Sequence, residues 1–254
     1  MHSEWLRRFG PASDNGIRLF CFPHAGGSAS AFLPLTRALS ALSGEVDVLA
    51  AQYPGRQDRR REPPVESITG LADALADEIR PLSGRPYAFF GHSMGAVVAY
   101  ETARRLTQRG APRPLRLFLS GRGAPAERPY THDRLMHDAA VLAAIRRLGG
   151  TASRVLDDPE VLAMVMPALR ADYGALGSYD WRPGAPLTAP VTVLIGDSDP
   201  VVTVDEAAAW CNHTSGGCEL RVFPGGHFYL DGLADELAAV VLAGLPARTA
   251  GSPA

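Results

Sequence analysis

Tyr87-Ala88-Phe89-Phe90-Gly91-His92-Ser93-Met94-Gly95-Ala96 decides how this chain folds. The four leading apolar residues read as the end of a buried strand. Ala96-Val97-Val98-Ala99-Tyr100, continued by Ala103 and Leu106, begins the apolar face of a helix. Between them stands G-x-S-x-G, with Gly91 and Gly95 flanking Ser93. A strand that turns straight into a helix brings two backbones so close that a Cβ at either flank would clash, which is why both flanks are glycine. The residue at the turn is forced into a strained conformation with its side chain raised above the sheet. The helix that follows aims its first N–H groups at the same spot, where a developing oxyanion would be stabilised. Ser93 is therefore the expected nucleophile.

The neighbouring segments alternate. Ile17 to Phe22 reads as a strand ended by Pro23, and a helix is expected from about Ser30 to Leu42 with Phe32, Leu35, Leu39 and Leu42 as its apolar stripe. Val46 to Ala51 is a strand, and Ile68 to Leu82 an amphipathic helix with Ser67 as N-cap. Further strands are expected at Leu115–Ser120, Val191–Gly196 and Leu220–Phe223, and a closing helix at Leu230–Leu245. Such alternation predicts an α/β chain, with a mostly parallel central sheet flanked by helices and right-handed crossovers. It breaks once. Between Ala126 and Trp181 only helical patterns occur, His132 to Leu148 and Asp158 to Leu176, in a stretch too long for an ordinary connection. Residues 126–181 are expected to form a helical lid inserted in a core made of 1–125 and 182–246, with 247–254 as a frayed tail. Met136, Leu142, Met164, Val165, Met166 and Leu169 are candidates for lining an acyl tunnel, or for packing the lid on the core.

The chain has 254 residues, 46% hydrophobic and 20% charged, enough for one large domain core. A formal net charge of −2 gives no basic field for nucleic acid. No apolar run reaches membrane-spanning length and no secretory leader is expected at the N-terminus. Cys21, Cys211 and Cys218 lack metal-binding spacing and are odd in number, so a reduced, cytoplasmic protein is expected. All 25 basic residues are arginine. Without lysine there is no Walker-A phosphate loop, no Schiff base and no Ser-Lys dyad.

A serine hydroxyl needs a base, and the base needs a carboxylate to orient it. On a chain of the α/β-hydrolase type, the acid and then the histidine follow the serine in sequence. His227, in the glycine-rich turn Pro224-Gly225-Gly226-His227 after the last strand, is the expected base. Gly196-Asp197-Ser198-Asp199-Pro200 holds the acid. Asp199 is favoured because it sits further out along the loop, while Asp197 could instead bind the loop backbone. The oxyanion would be held by the Met94 amide and a second amide from the loop His24-Ala25-Gly26-Gly27-Ser28; which of Gly26, Gly27 and Ser28 supplies it stays open.

With these pieces in place, the chain resembles the type II thioesterases that accompany polyketide synthases and non-ribosomal peptide synthetases. The resemblance runs over nearly the whole chain. It rests on Phe22-Pro23-His24-Ala25-Gly26-Gly27-Ser28, Tyr53-Pro54-Gly55-Arg56, Gly91-His92-Ser93-Met94-Gly95-Ala96, Gly196-Asp197-Ser198-Asp199-Pro200 and Gly226-His227-Phe228, in that order. It implies an α/β-hydrolase fold and a triad of Ser93, Asp199 and His227. It also implies a stand-alone enzyme that removes stalled or wrong acyl groups from the phosphopantetheine thiol of an acyl or peptidyl carrier protein. That partner would bind transiently to a monomeric enzyme, and no cofactor or metal is expected. Carrier proteins are acidic, so Arg56, Arg59, Arg60 and Arg61 form a candidate docking patch; a solvated loop balanced by Asp58 and Glu62 is the alternative. Two other functions are open to the same residues: a general carboxylesterase or lipase, and a non-catalytic binding protein on a hydrolase fold.

Overall fold

Seven strands form one sheet in a computed structural model of the chain, which describes residues 3–10, 16–125, 133–135, 137–149 and 158–246. The strands are β1 (Leu6–Arg8), β2 (Ile17–Phe22), β3 (Val46–Ala51), β4 (Tyr87–His92), β5 (Leu117–Ser120), β6 (Val191–Gly196) and β7 (Cys218–Phe223). They lie in the order β1-β3-β2-β4-β5-β6-β7. Only β1 runs antiparallel, and it pairs Leu6 with Ala51 along the outer edge of β3. This short edge strand escapes a reading of the sequence, because three residues, two of them arginines, carry no alternation.

Helices cover both faces. They are α1 (Leu33–Leu42), α2 (Ile68–Ile79), α3 (Met94–Gln108), α4 (Asp138–Leu148), α5 (Pro159–Gly177), α6 (Val204–Ala208) and α7 (Ala234–Gly244). Successive strand residues point to opposite faces. On one face Phe20, Phe22, Phe89, Leu117 and Val193 meet Leu71, Leu75 and Ile79 of α2 and Val97 of α3. On the other, Leu19, Cys21, Phe90, Phe118 and Leu194 meet Leu35 and Leu39 of α1 and Leu237 and Val241 of α7. A sheet buried on both faces needs the near-continuous apolar runs that mark these strands. Ser67 caps α2 as expected, its Oγ accepting from the Gly70 amide at 3.1 Å.

The expected helical stretch between β5 and β6 contains α4 and α5. Asp158 caps α5 by accepting from the Glu160 amide at 2.9 Å, and Pro159 takes the first helical position, where its missing N–H costs nothing. Val141, Ile145, Met166, Leu169 and Tyr173 form a third, smaller apolar cluster between the two helices, with Ala25 packed against it. Cys211 and Cys218 are joined by a disulfide, against the expectation of three reduced cysteines; only Cys21 is free, and it is buried. Among the described residues, no helix is long and apolar enough to cross a membrane, and no cluster of His, Cys, Asp and Glu could hold a metal ion.

Candidate active site

The strand–turn–helix around Ser93 takes the form its glycines require. Ser93 sits between β4 and α3 at φ 54°, ψ −118°, one of two non-glycine residues with positive φ among those described. Such a conformation costs about 1–3 kcal/mol and persists only where its surroundings enforce it. Here the enforcement is steric and hydrogen-bonded. A Cβ on Gly91 would be driven into the Gly95 carbonyl, and one on Gly95 into the carbonyl of Phe22 at the end of β2. The Ser93 amide donates to the Ser120 carbonyl at the end of β5, 2.8 Å away. The Met94 amide, first in α3, has no hydrogen-bond partner among the described residues.

His227 and Asp199 come together from the loops after β7 and β6. Asp199 Oδ2 lies 2.7 Å from His227 Nδ1, and both side chains are buried. The other oxygen, Oδ1, accepts from the amides of Val201 at 2.9 Å and Val202 at 3.3 Å. All of this fixes the carboxylate so that His227 Nδ1 is held and Nε2 is left for other work. Asp197 makes no such contact. Its Oδ1 accepts from Ser198 Oγ at 2.7 Å and the Gly225 amide at 3.0 Å, and these bonds hold its carboxyl below the usual range.

Two further imidazoles crowd this corner. The His92 ring lies 5.1 Å from that of His227 and 5.9 Å from that of His24, and His24 packs on Phe228 at 5.0 Å. Burial, with like charge on His227 and Arg56, pushes His24 down to about 4. Burial likewise puts His92 well below the ordinary histidine range, and its Nδ1 pairs with Ser120 Oγ at 2.9 Å. Both therefore stay neutral near pH 7.

The loop after β2 narrows the choice of amide. The Gly26 N–H is already given to Asp172 Oδ2 at 2.7 Å, and the Gly27 N–H to the His24 carbonyl at 2.9 Å. Among the described residues, the Ser28 amide is the one unpaired member of the expected three; the Ala25 amide, just outside them, is unpaired as well. Tyr53-Pro54-Gly55-Arg56 backs this loop, and it corrects the expected docking patch. Arg56 is buried, and its guanidinium bonds both oxygens of Asp172. Arg59 is buried too, over the Trp5 ring and donating to the Gln52 carbonyl. Of the four arginines, only Arg60 and Arg61 face solvent. Of the expected tunnel residues, Met166 is buried between α4 and α5, Met164 is 59% exposed, and Met136 lies outside the described residues.

A family model for thioesterase domains matches residues 17–243. The chain belongs to the thioesterase family. This thioesterase is 52% identical over 232 residues to thioesterase PikA5 of Streptomyces venezuelae, covering 89% of this chain and 80% of that protein. It is 48% identical to a probable cadicidin biosynthesis thioesterase of Streptomyces griseus, covering 90% of this chain but only 62% of that protein. Among solved structures it is similar to the type II thioesterase BorB from the borrelidin biosynthetic cluster. The TM-score is 0.87 at 44% identity, with 97% of this chain and all of that one covered. The thioesterase has the α/β-hydrolase fold, and its relatives include a gramicidin S biosynthesis protein and the type II thioesterase YbtT from the yersiniabactin NRPS/PKS biosynthetic pathway.

Proposed function

We propose that this thioesterase hydrolyses acyl groups from the phosphopantetheine thiol of an acyl or peptidyl carrier protein, clearing aberrant or stalled units, through an acyl-enzyme on Ser93. The 2.7 Å pair of Asp199 and His227, together with the strained conformation of Ser93 in its glycine-flanked elbow, supports the reading. Ser93 Oγ attacks the thioester carbonyl while its proton passes to His227 Nε2. Asp199 stabilises the imidazolium and keeps the ring in register. The oxyanion is received by the Met94 amide, aided by the positive end of α3, and by an unpaired amide of the loop after β2. The C–S bond breaks, and His227 returns the proton to the leaving thiol. A water then attacks the acyl-serine, giving its proton to His227. The C–O bond to Ser93 breaks, the carboxylic acid leaves, and Ser93 regains its proton. The carrier is supported as partner by the biosynthetic clusters of the relatives.

Steady-state hydrolysis of one acyl group on three leaving groups tests this: a holo carrier protein, a small pantetheine-like thiol and an alcohol. The carrier thioester is expected to lead in kcat/KM by roughly tenfold or more, about 1.4 kcal/mol of transition-state binding. Oxygen esters cleaved as fast would replace the reading with a general esterase.

A further inference from the structure

Each of the four peptide groups between His24 and Ser28 is held by a hydrogen bond. The His24 carbonyl accepts from the Gly27 amide at 2.9 Å. Gly26, at φ +73°, gives its N–H to Asp172 Oδ2 at 2.7 Å. The Gly27 carbonyl accepts from Arg56 Nη1 at 3.1 Å. In a trans peptide the N–H and the C=O point in opposite directions. Holding the His24 carbonyl therefore aims the Ala25 N–H, and holding the Gly27 carbonyl aims the Ser28 N–H. Neither amide has a hydrogen-bond partner among the described residues.

Arg56 and Asp172 form the strut that does the holding. Arg56 Nη1 and Nη2 reach Asp172 Oδ2 and Oδ1 at 2.7 and 2.9 Å, a two-pronged pair, while Nε reaches the Pro54 carbonyl at 3.3 Å. The Asp172 side chain is fully buried and that of Arg56 is 6% exposed. Gln52 completes the backing, its Oε1 accepting from the Ala29 amide at 2.9 Å and its Nε2 donating to the Arg56 carbonyl at 3.3 Å. Asp172 comes from α5, 146 residues along the chain from Gly26. One turn earlier on α5, Leu169 fills the space a Cβ on Gly26 would need.

We infer that Arg56 and Asp172 are positioning residues for the oxyanion-binding loop, and that α5 thereby sets the amide that receives the transition-state charge. This rests on the reading of Ser93 as nucleophile. Without Asp172, the part-buried Gly26 N–H and Arg56 Nη2 lose their acceptor and the buried guanidinium its counter-charge, and the loop reorients to satisfy them. Charge develops on the carbonyl oxygen only during reaction, so the loss falls on kcat and spares KM.

The test uses D172A, D172N and R56K, with a fluorophosphonate titration to count reactive Ser93 in each preparation. D172A is expected to lower kcat per titrated site on the order of 10²-fold with KM for a small thioester within a few-fold, as loss of an oxyanion donor does. D172N keeps one acceptor and is expected to recover part of the rate. R56K cannot span both carboxylate oxygens and the Gly27 carbonyl, and is expected to fall with D172A. The Kd of an alkyl boronic acid, which forms a tetrahedral anion on the serine, should rise in proportion to the fall in kcat. If D172A does not fold, D172N and R56K decide. Wild-type kcat per titrated site, or an unchanged boronate Kd, in the folded variants overturns the inference. S93A separates the two failures: an active S93A removes the nucleophile reading itself, whereas an inactive S93A beside fully active D172N and R56K removes the inference alone.

Discussion

The elbow around Ser93 and the helix carrying Asp172 both bear on the chain that leaves β2, but they are placed there by opposite means. The elbow meets it at Phe22 and Pro23 through Gly95, by close approach of bare backbone. The α5 helix meets it at Gly26 through one buried carboxylate shared with Arg56. The first contact is specified by the five residues Gly91 to Gly95 and tolerates no added atom. The second is specified by matched charge and hydrogen bonds across 146 residues. Shape fixes the turn at Ser93, and polar complementarity ties down the loop that, on the proposed mechanism, would receive the negative charge. A buried ion pair of this kind adds little net stability, since desolvation offsets much of its attraction; it adds position, and losing one partner is costly.

Substitutions can pull these two modes apart. The largest effect belongs to the elbow. S93A removes one oxygen atom and no backbone constraint, so kcat should fall on the order of 10⁴–10⁶-fold with Tm unchanged in a thermal melt. A large drop in Tm would mean the hydroxyl itself helps hold the turn. Next comes D199N, which preserves the shape beside His227 Nδ1 but presents an amide in place of the charge. A loss of roughly 10³–10⁴-fold in kcat is expected. A D199N enzyme as fast as wild type, with D197N the slow one, would hand the acid to Asp197.

Acid should then weaken the neutral histidines that line the corner. His24 is held at about 4, against an ordinary 6.5. Between those values the unfolded chain binds a proton that the folded chain refuses, so this contribution to stability is complete above pH 6.5 and is lost as pH falls toward 4. Tm measured from pH 7 to 4.5 should fall less steeply in H24N than in wild type; parallel curves would show that His24 ionises without consequence. The smallest effect separates two neighbouring arginines. Arg59→Ala, which empties the space over Trp5 and leaves the Gln52 carbonyl unpaired, should cost about 1–3 kcal/mol in urea unfolding, whereas Arg60→Ala should stay within about 0.5 kcal/mol. If carriers dock on this loop, Arg60→Glu raises KM for a carrier thioester and leaves a small thioester unaffected.

What could be read in the sequence follows the same division. Gly91-His92-Ser93-Met94-Gly95 announces its own geometry, and the alternation of apolar strands and amphipathic helices leads to a parallel sheet. Sequence favours Asp199 over Asp197 only by its place along the loop, because two aspartates in one turn differ only in where the loop directs them; Asp199 is the one that meets His227. The arginine run misled for a physical reason. The partners that draw Arg56 and Arg59 inward are Asp172, Gln52 and Trp5, and charge patterning along a loop says nothing about residues on other elements. Asp172 itself lies in Leu169-Arg170-Ala171-Asp172-Tyr173, where a charged residue on a helix reads as solvent-facing. The one available signal was Tyr53-Pro54-Gly55-Arg56, a tight turn ending in a residue that turn geometry alone does not require. The disulfide was hidden by the odd count, which left no parity to argue from.

Cys21 lies on β2 with Ala50 on one side and Phe90 on the other, wholly inaccessible, and burial raises its thiol far above the ordinary range. With Cys211 and Cys218 tied to each other, it is the chain's one free sulfhydryl, all three cysteines being among the described residues. The reactive form of a thiol is the thiolate, and here both charge and access are withheld until the sheet comes apart. The molecule therefore carries its own clock: a thiol reagent in excess counts sheet openings, one modification per molecule, at a rate the acyl-transfer chemistry does not touch.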